Sequence, residues 1–184
     1  MSNQEVNSTG AAAWRYGAPA ILIHWLMAFL IASLVAIGWY MMSIEDDPGS
    51  KWYFDLHKSV GIVVFILVLL RIVWRATHRP LPLPGSLPRW EVKLSHLTQW
   101  ALYVCMLLLP ILGFVGASYS KSGVVFFGTR VSSWTLPNHD TAEFFFGLHI
   151  TLAWVMVALV ALHAIGGLKH LLVDKDGVFQ RMWL

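Results

Sequence analysis

Four long apolar stretches alternate with polar ones along the chain, at roughly residues 18–42, 55–74, 96–117 and 144–168. As helices they are long enough to cross a hydrocarbon core of about 30 Å. Trp14 and Tyr16 precede the first and Trp39 and Tyr40 close it, where interfacial aromatic residues belong. The second is the shortest and carries His57 near its start and Arg71 near its end. In the third, Pro110 followed by Gly113 and Gly116 predicts a kink that neighbouring helices accommodate. Between the first two lies a polar turn region, residues 43–54, with Glu45, Asp46, Asp47, Pro48 and Gly49. Residues 75–95 contain four prolines, which remove backbone donors and predict a connecting loop. Residues 118–143 form a second long loop, in which 124–127 and 134–137 are apolar enough to lie in the interface as a cap. Residues 169–184 read as amphipathic and mixed in charge.

Composition turns this pattern into a class. Of 184 residues, 57% are hydrophobic and 12% charged, with a mean hydropathy of +0.62, which a soluble domain of this size cannot hide from water. The expected fold is an all-α membrane protein, a four-transmembrane-helix bundle in a lipid bilayer, with no nucleic-acid partner. The polar start, residues 1–10, carries Glu5 rather than a basic flank, so it reads as part of a cytoplasmic tail and not as a signal peptide. The expected organisation is a tail over 1–17 and one membrane domain over 18–184.

Loop charge predicts the orientation. Arg71, Arg75, Arg79, Arg89 and Lys93 against Glu91 leave +4 around the second loop, which should be cytoplasmic. Glu45, Asp46, Asp47 and Asp55 against Lys51 and Lys58 leave −2 around the first loop. The third is neutral, with Lys121 and Arg130 against Asp140 and Glu143. Both should face outward, with the two termini inside, in agreement with Lys169, Lys175 and Arg181.

Within that topology the intramembrane histidines fall into pairs. His149 and His163 are fourteen residues apart on the last span, about 40° apart around the helix and about 21 Å along it. His24, near the start of the outward-running first span, matches His163 in depth. His57, at the start of the inward-running second span, matches His149. A single intramembrane histidine is readily explained as an interhelical hydrogen-bond partner. Four that pair by depth call for a function, and two facing imidazoles at one level are what a bis-histidine-ligated haem requires. Cys105 is the single cysteine, so there is no intrachain disulfide, and no C-x-x-C-H is present for covalent haem attachment.

Two spacings fit the same idea. Gly38 lies fourteen residues after His24 and would let a porphyrin approach the first span, although close helix packing explains it equally well. Arg71 lies fourteen residues after His57, where its guanidinium suits a haem propionate as well as the positive-inside pattern. His78 and His139 fall in loops and are expected to be solvated, whereas His96 and His170 sit at the cytoplasmic interface with either role open.

These residues resemble the bacterial di-haem cytochrome b561 family of inner-membrane proteins. The similarity rests on I-L-I-H-W-L around His24, L-H-K-S-V-G-I around His57, and H-L-T-Q-W-A-L-Y with L-P-I-L-G between His96 and Gly113. It continues in G-L-H-I-T-L-A around His149, L-H-A-I-G-G-L-K-H around His163, and the D-K-D-G-V-F-Q-R-M ending. The resemblance implies two b haems ligated by His24/His163 and His57/His149, and electron transfer between the outer face and the quinone pool. One branch of the family oxidises superoxide to oxygen and reduces ubiquinone. On this reading His170 lines a quinone site near the inner haem, with Lys169 and His96 as weaker candidates. The negative outer loops would repel an anion unless Lys51, Lys58, Lys121 and Arg130 cluster near the outer haem. An alternative is therefore a cytochrome b subunit fed by a partner dehydrogenase or a periplasmic redox carrier. A histidine-lined metal transporter is a remote third reading, because the spans offer no carboxylate beyond Asp55 and no aqueous path is evident.

Overall fold

A computed structural model describes residues 15–78, 82–131 and 134–183. Trp14, Arg79 and most of the expected tail lie outside the described residues. Four helices, α1 (Ala18–Ser43), α2 (Ser50–Thr77), α3 (Arg89–Tyr119) and α4 (His139–Lys169), are long and apolar enough to cross a membrane. Each is longer than the apolar stretch that announces it, because its polar first or last turns extend past the hydrophobic part. In α2 the turn before Asp55 is carried by a Lys51–Asp55 ion pair at helical spacing. In α4 the Asn138 side chain caps the start by accepting from the Thr141 N–H at 3.0 Å, with Asp140 in the first turn. Pro19 in the first turn of α1 needs no donor there, and α3 continues through Pro110.

Helix α1 packs on α2, α2 on α3 and α3 on α4. The best-buried contacts are Met27 of α1 with Val64 and Val68 of α2, surrounded by Ile31, Leu34, Met106 and Leu107. Small residues set the approach of α3 to α4: a Cβ on Gly116 would stand 2.7 Å from the Phe146 ring. Many large apolar side chains, among them Leu22, Phe29, Ile66 and Ile165, point outward. In a bilayer that surface meets lipid tails, so burial within the chain is not what holds it.

The long third loop contains a hairpin, β1 (Val125–Phe126) paired antiparallel with β2 (Thr129–Arg130). Its two turn residues, Phe127 and Gly128, have φ of 41° and 85°, as a type I′ turn requires. The fully buried Ser59 of α2 accepts from the Phe127 N–H at 2.9 Å and donates to the Asp55 carbonyl at 2.7 Å, fastening the hairpin to α2. At the other end of the bundle, α4 runs into a π-helical turn (His170–Asp174) and then a 3₁₀ turn (Phe179–Met182). This last segment lies across the start of α1: Trp25 Nε1 donates to the Met182 carbonyl at 2.6 Å, and the Arg181 guanidinium reaches the Pro82 carbonyl at 2.6 Å.

Candidate functional site

Helix α4 faces α1 and α2 through two pairs of imidazoles. At the end of the bundle that holds the C-terminal segment, the rings of His24 and His163 have centroids 6.2 Å apart with planes at 71°. At the hairpin end, His57 and His149 stand 6.1 Å apart at 75°. The fourteen residues between His149 and His163 put the two levels about 21 Å apart along α4. Two metal–imidazole bonds of about 2 Å each, with ring nitrogens about 1 Å from their centroids, span about 6 Å. Each pair therefore has the separation at which one iron fits between the two rings.

The hairpin-side pair is enclosed by backbone. His149 Nδ1 donates to the Leu109 carbonyl at 2.9 Å, which puts the proton on Nδ1 and leaves the Nε2 lone pair free for a metal. His57 Nδ1 is buried close to the Leu34 carbonyl, without a well-formed hydrogen bond among the described residues. Glycines flank both rings. A Cβ on Gly113 would come within 3.2 Å of His149 Nδ1, and one on Gly38 would lie 3.5 Å from His57 Cε1. Gly38 thus stands where sequence spacing puts it, against the ring of the facing helix. Gly113, visible in the sequence only as part of a kink, proves to be the tighter of the two.

The terminus-side pair is polar. Arg71 brings Nε to the Tyr103 hydroxyl at 3.2 Å and Nη2 to His24 Nδ1 at 3.2 Å. A guanidinium only donates, so the His24 nitrogen is the acceptor. Trp25 stands beside His24, its ring edge-on at 5.6 Å. His163 as a whole residue is exposed on the polypeptide surface, with its ring edge-on to His24. Tyr103 was not singled out from the sequence; the packing of α3 on α2 assigns it to Arg71.

Beyond this pair lies an ionic cluster. Lys169 Nζ donates to both oxygens of Glu91, at 3.0 and 3.1 Å, and to Asp174 at 2.7 Å. His170 Nδ1 donates to Asp176 Oδ2 at 2.8 Å and lies 3.3 Å from Asp174 Oδ2. Glu91, His170 and Asp174 converge closely enough to hold a metal ion, but the Lys169 ammonium already supplies their positive charge. Burial alone would raise the Asp176 carboxyl, yet bonds from the Val178 N–H and from His170 outweigh it and hold the group below its ordinary value. The structure brings Lys169 and His170 into this cluster and leaves His96 exposed on α3, with no hydrogen bond or ring contact to His170 among the described residues. His78 closes α2, stacked on Trp74 at 3.9 Å, and His139 is the exposed first residue of α4.

The prokaryotic cytochrome b561 family matches residues 15–184. The chain belongs to that family. It is similar to cytochrome b561 homolog 2 of Escherichia coli (strain K12), with 33% identity over 91% of this chain and 90% of that protein. It is 28% identical to cytochrome b561 homolog 1 of the same organism, over 91% of this chain and 96% of that protein. To the probable superoxide oxidase CybB of Yersinia pestis it is 29% identical, over 91% of this chain and 95% of that protein. The protein is accordingly a multi-pass bacterial membrane cytochrome that carries electrons on b-type haem bound by histidines.

Proposed function

We propose that this cytochrome b561 binds two b haems, one at each imidazole pair, and passes electrons from a donor at the outer face to ubiquinone beside the terminus-side pair. The observation that carries this reading is the presence of two facing imidazole pairs, at 6.2 and 6.1 Å, on two levels of one bundle. On this reading His24 and His163 hold the inner haem and His57 and His149 the outer one, with both termini cytoplasmic and residues 18–184 forming one membrane domain. Each haem supplies one-electron redox chemistry when bound. Gly38 and Gly113 keep side-chain bulk away from the outer imidazoles. The Leu109 carbonyl fixes the tautomer of His149 so that Nε2 carries the free lone pair. Arg71, which donates to His24 in the structure, offers a propionate a charged partner and would release His24 Nδ1 in doing so. His170, with Lys169 and more distantly His96, provides donors and acceptors for a quinone at the inner face.

For the outer donor we favour superoxide. One relative is named a probable superoxide oxidase, and near His57 two lysines, Lys51 and Lys58, share the single carboxylate of Asp55, which leaves a local positive charge. The −2 balance of the first loop as a whole favours the second reading, in which a partner dehydrogenase or a periplasmic carrier delivers the electrons.

Purified protein alone separates the two. Haem is counted per chain from difference spectra, and the haem bands are then followed while superoxide is generated enzymatically. Reduction that superoxide dismutase abolishes, followed by reoxidation on adding ubiquinone, is the expected result. Two haems that ignore superoxide but pass electrons from a chemical reductant to ubiquinone would assign the donor side to a partner. A chain that binds no haem when haem is plentiful would end both readings.

A further inference from the structure

We propose that Asp176 is the positioning residue that sets His170 as proton donor to the quinone, an inference resting on the reading that quinone is reduced beside the terminus-side pair. His170 lies seven residues past His163, on nearly the same face of the helix and about 10 Å further along it. At that point α4 gives way to the π-helical turn His170–Asp174, a feature that often marks functional positions. The chain then reverses through Lys175 and Gly177, whose φ values are 51° and 80°. A lysine in the left-handed region costs about 1 kcal/mol, so something must hold the reversal.

What the reversal achieves is to bring a carboxylate back onto the imidazole. Asp176 Oδ2 accepts from His170 Nδ1 at 2.8 Å, while Oδ1 accepts from the Val178 N–H at 3.0 Å. Both oxygens are engaged, so the carboxylate cannot turn away from the ring. The segment that follows is anchored by Trp25 and Pro82, and Phe179 lies against Gly167, 3.4 Å from where its Cβ would be. Of the other charged groups nearby, Asp174 lies 3.3 Å from the same His170 nitrogen, and Lys169 pairs with both Glu91 and Asp174.

The chemistry follows from donor and acceptor roles. A carboxylate only accepts, so Nδ1 keeps its proton in both charge states of the imidazole, and Nε2 is the atom that gains and loses one. Converting a quinone to a quinol takes two electrons and two protons. The electrons come singly from the cytochrome. Each proton leaves Nε2 of the imidazolium for a quinone oxygen, so that one N–H bond breaks as one O–H bond forms, and Nε2 is reprotonated from water at that face of the membrane. Asp176 touches no quinone. It aims the ring and keeps the proton on Nδ1.

The test uses haem-loaded protein, with haem content equal in every variant. ¹⁵N shifts of His170 read the tautomer of the neutral ring, and rapid mixing with ubiquinone-1 follows haem reoxidation. The expected results are an Nδ1–H tautomer in the natural protein, a mixture in D176N, reoxidation about ten-fold slower in D176N, and recovery in D176E. An Nε2–H tautomer in the natural protein overturns the proposal without any variant. So does D176N that reoxidises at the natural rate, or slowing that D176E fails to relieve while the tautomer stays unchanged. Reoxidation insensitive to H170Q would mean that quinone is reduced elsewhere. That result would remove the reading beneath the proposal, and the tautomer measurement keeps the two failures distinguishable.

Discussion

The two imidazole pairs have almost the same separation and quite different surroundings. At the hairpin end the rings meet backbone: the Leu109 carbonyl for His149, the Leu34 carbonyl near His57, and two glycines. At the terminus end they meet charge, with Arg71 and Tyr103 beside His24 and the Lys169–Glu91–Asp174 cluster beyond. A close-fitting site whose imidazoles meet backbone suits a cofactor that changes charge by one electron and exchanges nothing else. A site backed by titratable groups suits a reaction that also moves protons. The difference points to a division of labour between the ends, with one accepting electrons and the other joining electrons to protons.

The sharpest way to break that comparison is to remove one level. H149L should abolish one haem per chain and leave the other with its spectrum intact, and H163L should abolish the other, as measured by haem-to-protein ratio and low-temperature difference spectra. If either substitution removed both haems, the two levels would not be independent sites. A smaller effect tests the fit at the hairpin end. G113A places a methyl 3.2 Å from His149 Nδ1 and should weaken haem retention there by about 1–3 kcal/mol, seen as haem loss to apomyoglobin. G38A, at 3.5 Å, should change little. If G38A lost haem as readily as G113A, close approach would not be what sets the fit at this end.

Much of this asymmetry was hidden from the sequence, and the reasons are physical. The depth of each histidine was legible, because loop charges orient the spans and helix rise converts residue number into depth. The structure accordingly brings His24 to His163 and His57 to His149. The helix ends were less legible, since hydropathy registers only the part within hydrocarbon. Arg89 to Ser95 is polar and follows four prolines, yet it forms the first turns of α3, where Glu91 meets Lys169 from the far end of the chain. The hairpin turn was unreadable because Phe127 takes a positive φ that asparagine or glycine would normally signal, held by the hydrogen bond its N–H donates to Ser59, distant in sequence. Lys175 hides the C-terminal reversal in the same way. Backbone conformations imposed by tertiary contacts leave no local signature.

At the terminus end, R71L removes a positive charge beside His24 while the other pair keeps its surroundings. Loss of a cation favours the oxidised iron, so the midpoint potential of this haem should fall by about 50 mV, roughly 1 kcal/mol per electron, with the other potential unmoved. Redox titration followed at two wavelengths reads both. An equal fall at both haems would show that Arg71 acts through the general field and not through contact with one pair.

The smallest expected effect concerns the C-terminal segment and its pH dependence. The Asp176 carboxyl is held below its ordinary value of 3.8 in the folded chain, so the folded state binds fewer protons here than the unfolded one. The stabilisation it gives is complete above that ordinary value and disappears as pH falls through the depressed one. Amide exchange of residues 178–183 should therefore be unchanged between about pH 7 and pH 5, and its protection should drop only in the acid range below about pH 4. In D176N the ionisation is gone, so protection should be lower at neutral pH and should lose its acid step. The Phe127 amide of the hairpin donates to the Ser59 hydroxyl, which does not titrate in this range, and should show no such step in either protein. An acid step of equal size at Phe127 would mean that low pH loosens the whole bundle, and the contrast between the two ends would then not extend to how each is held closed.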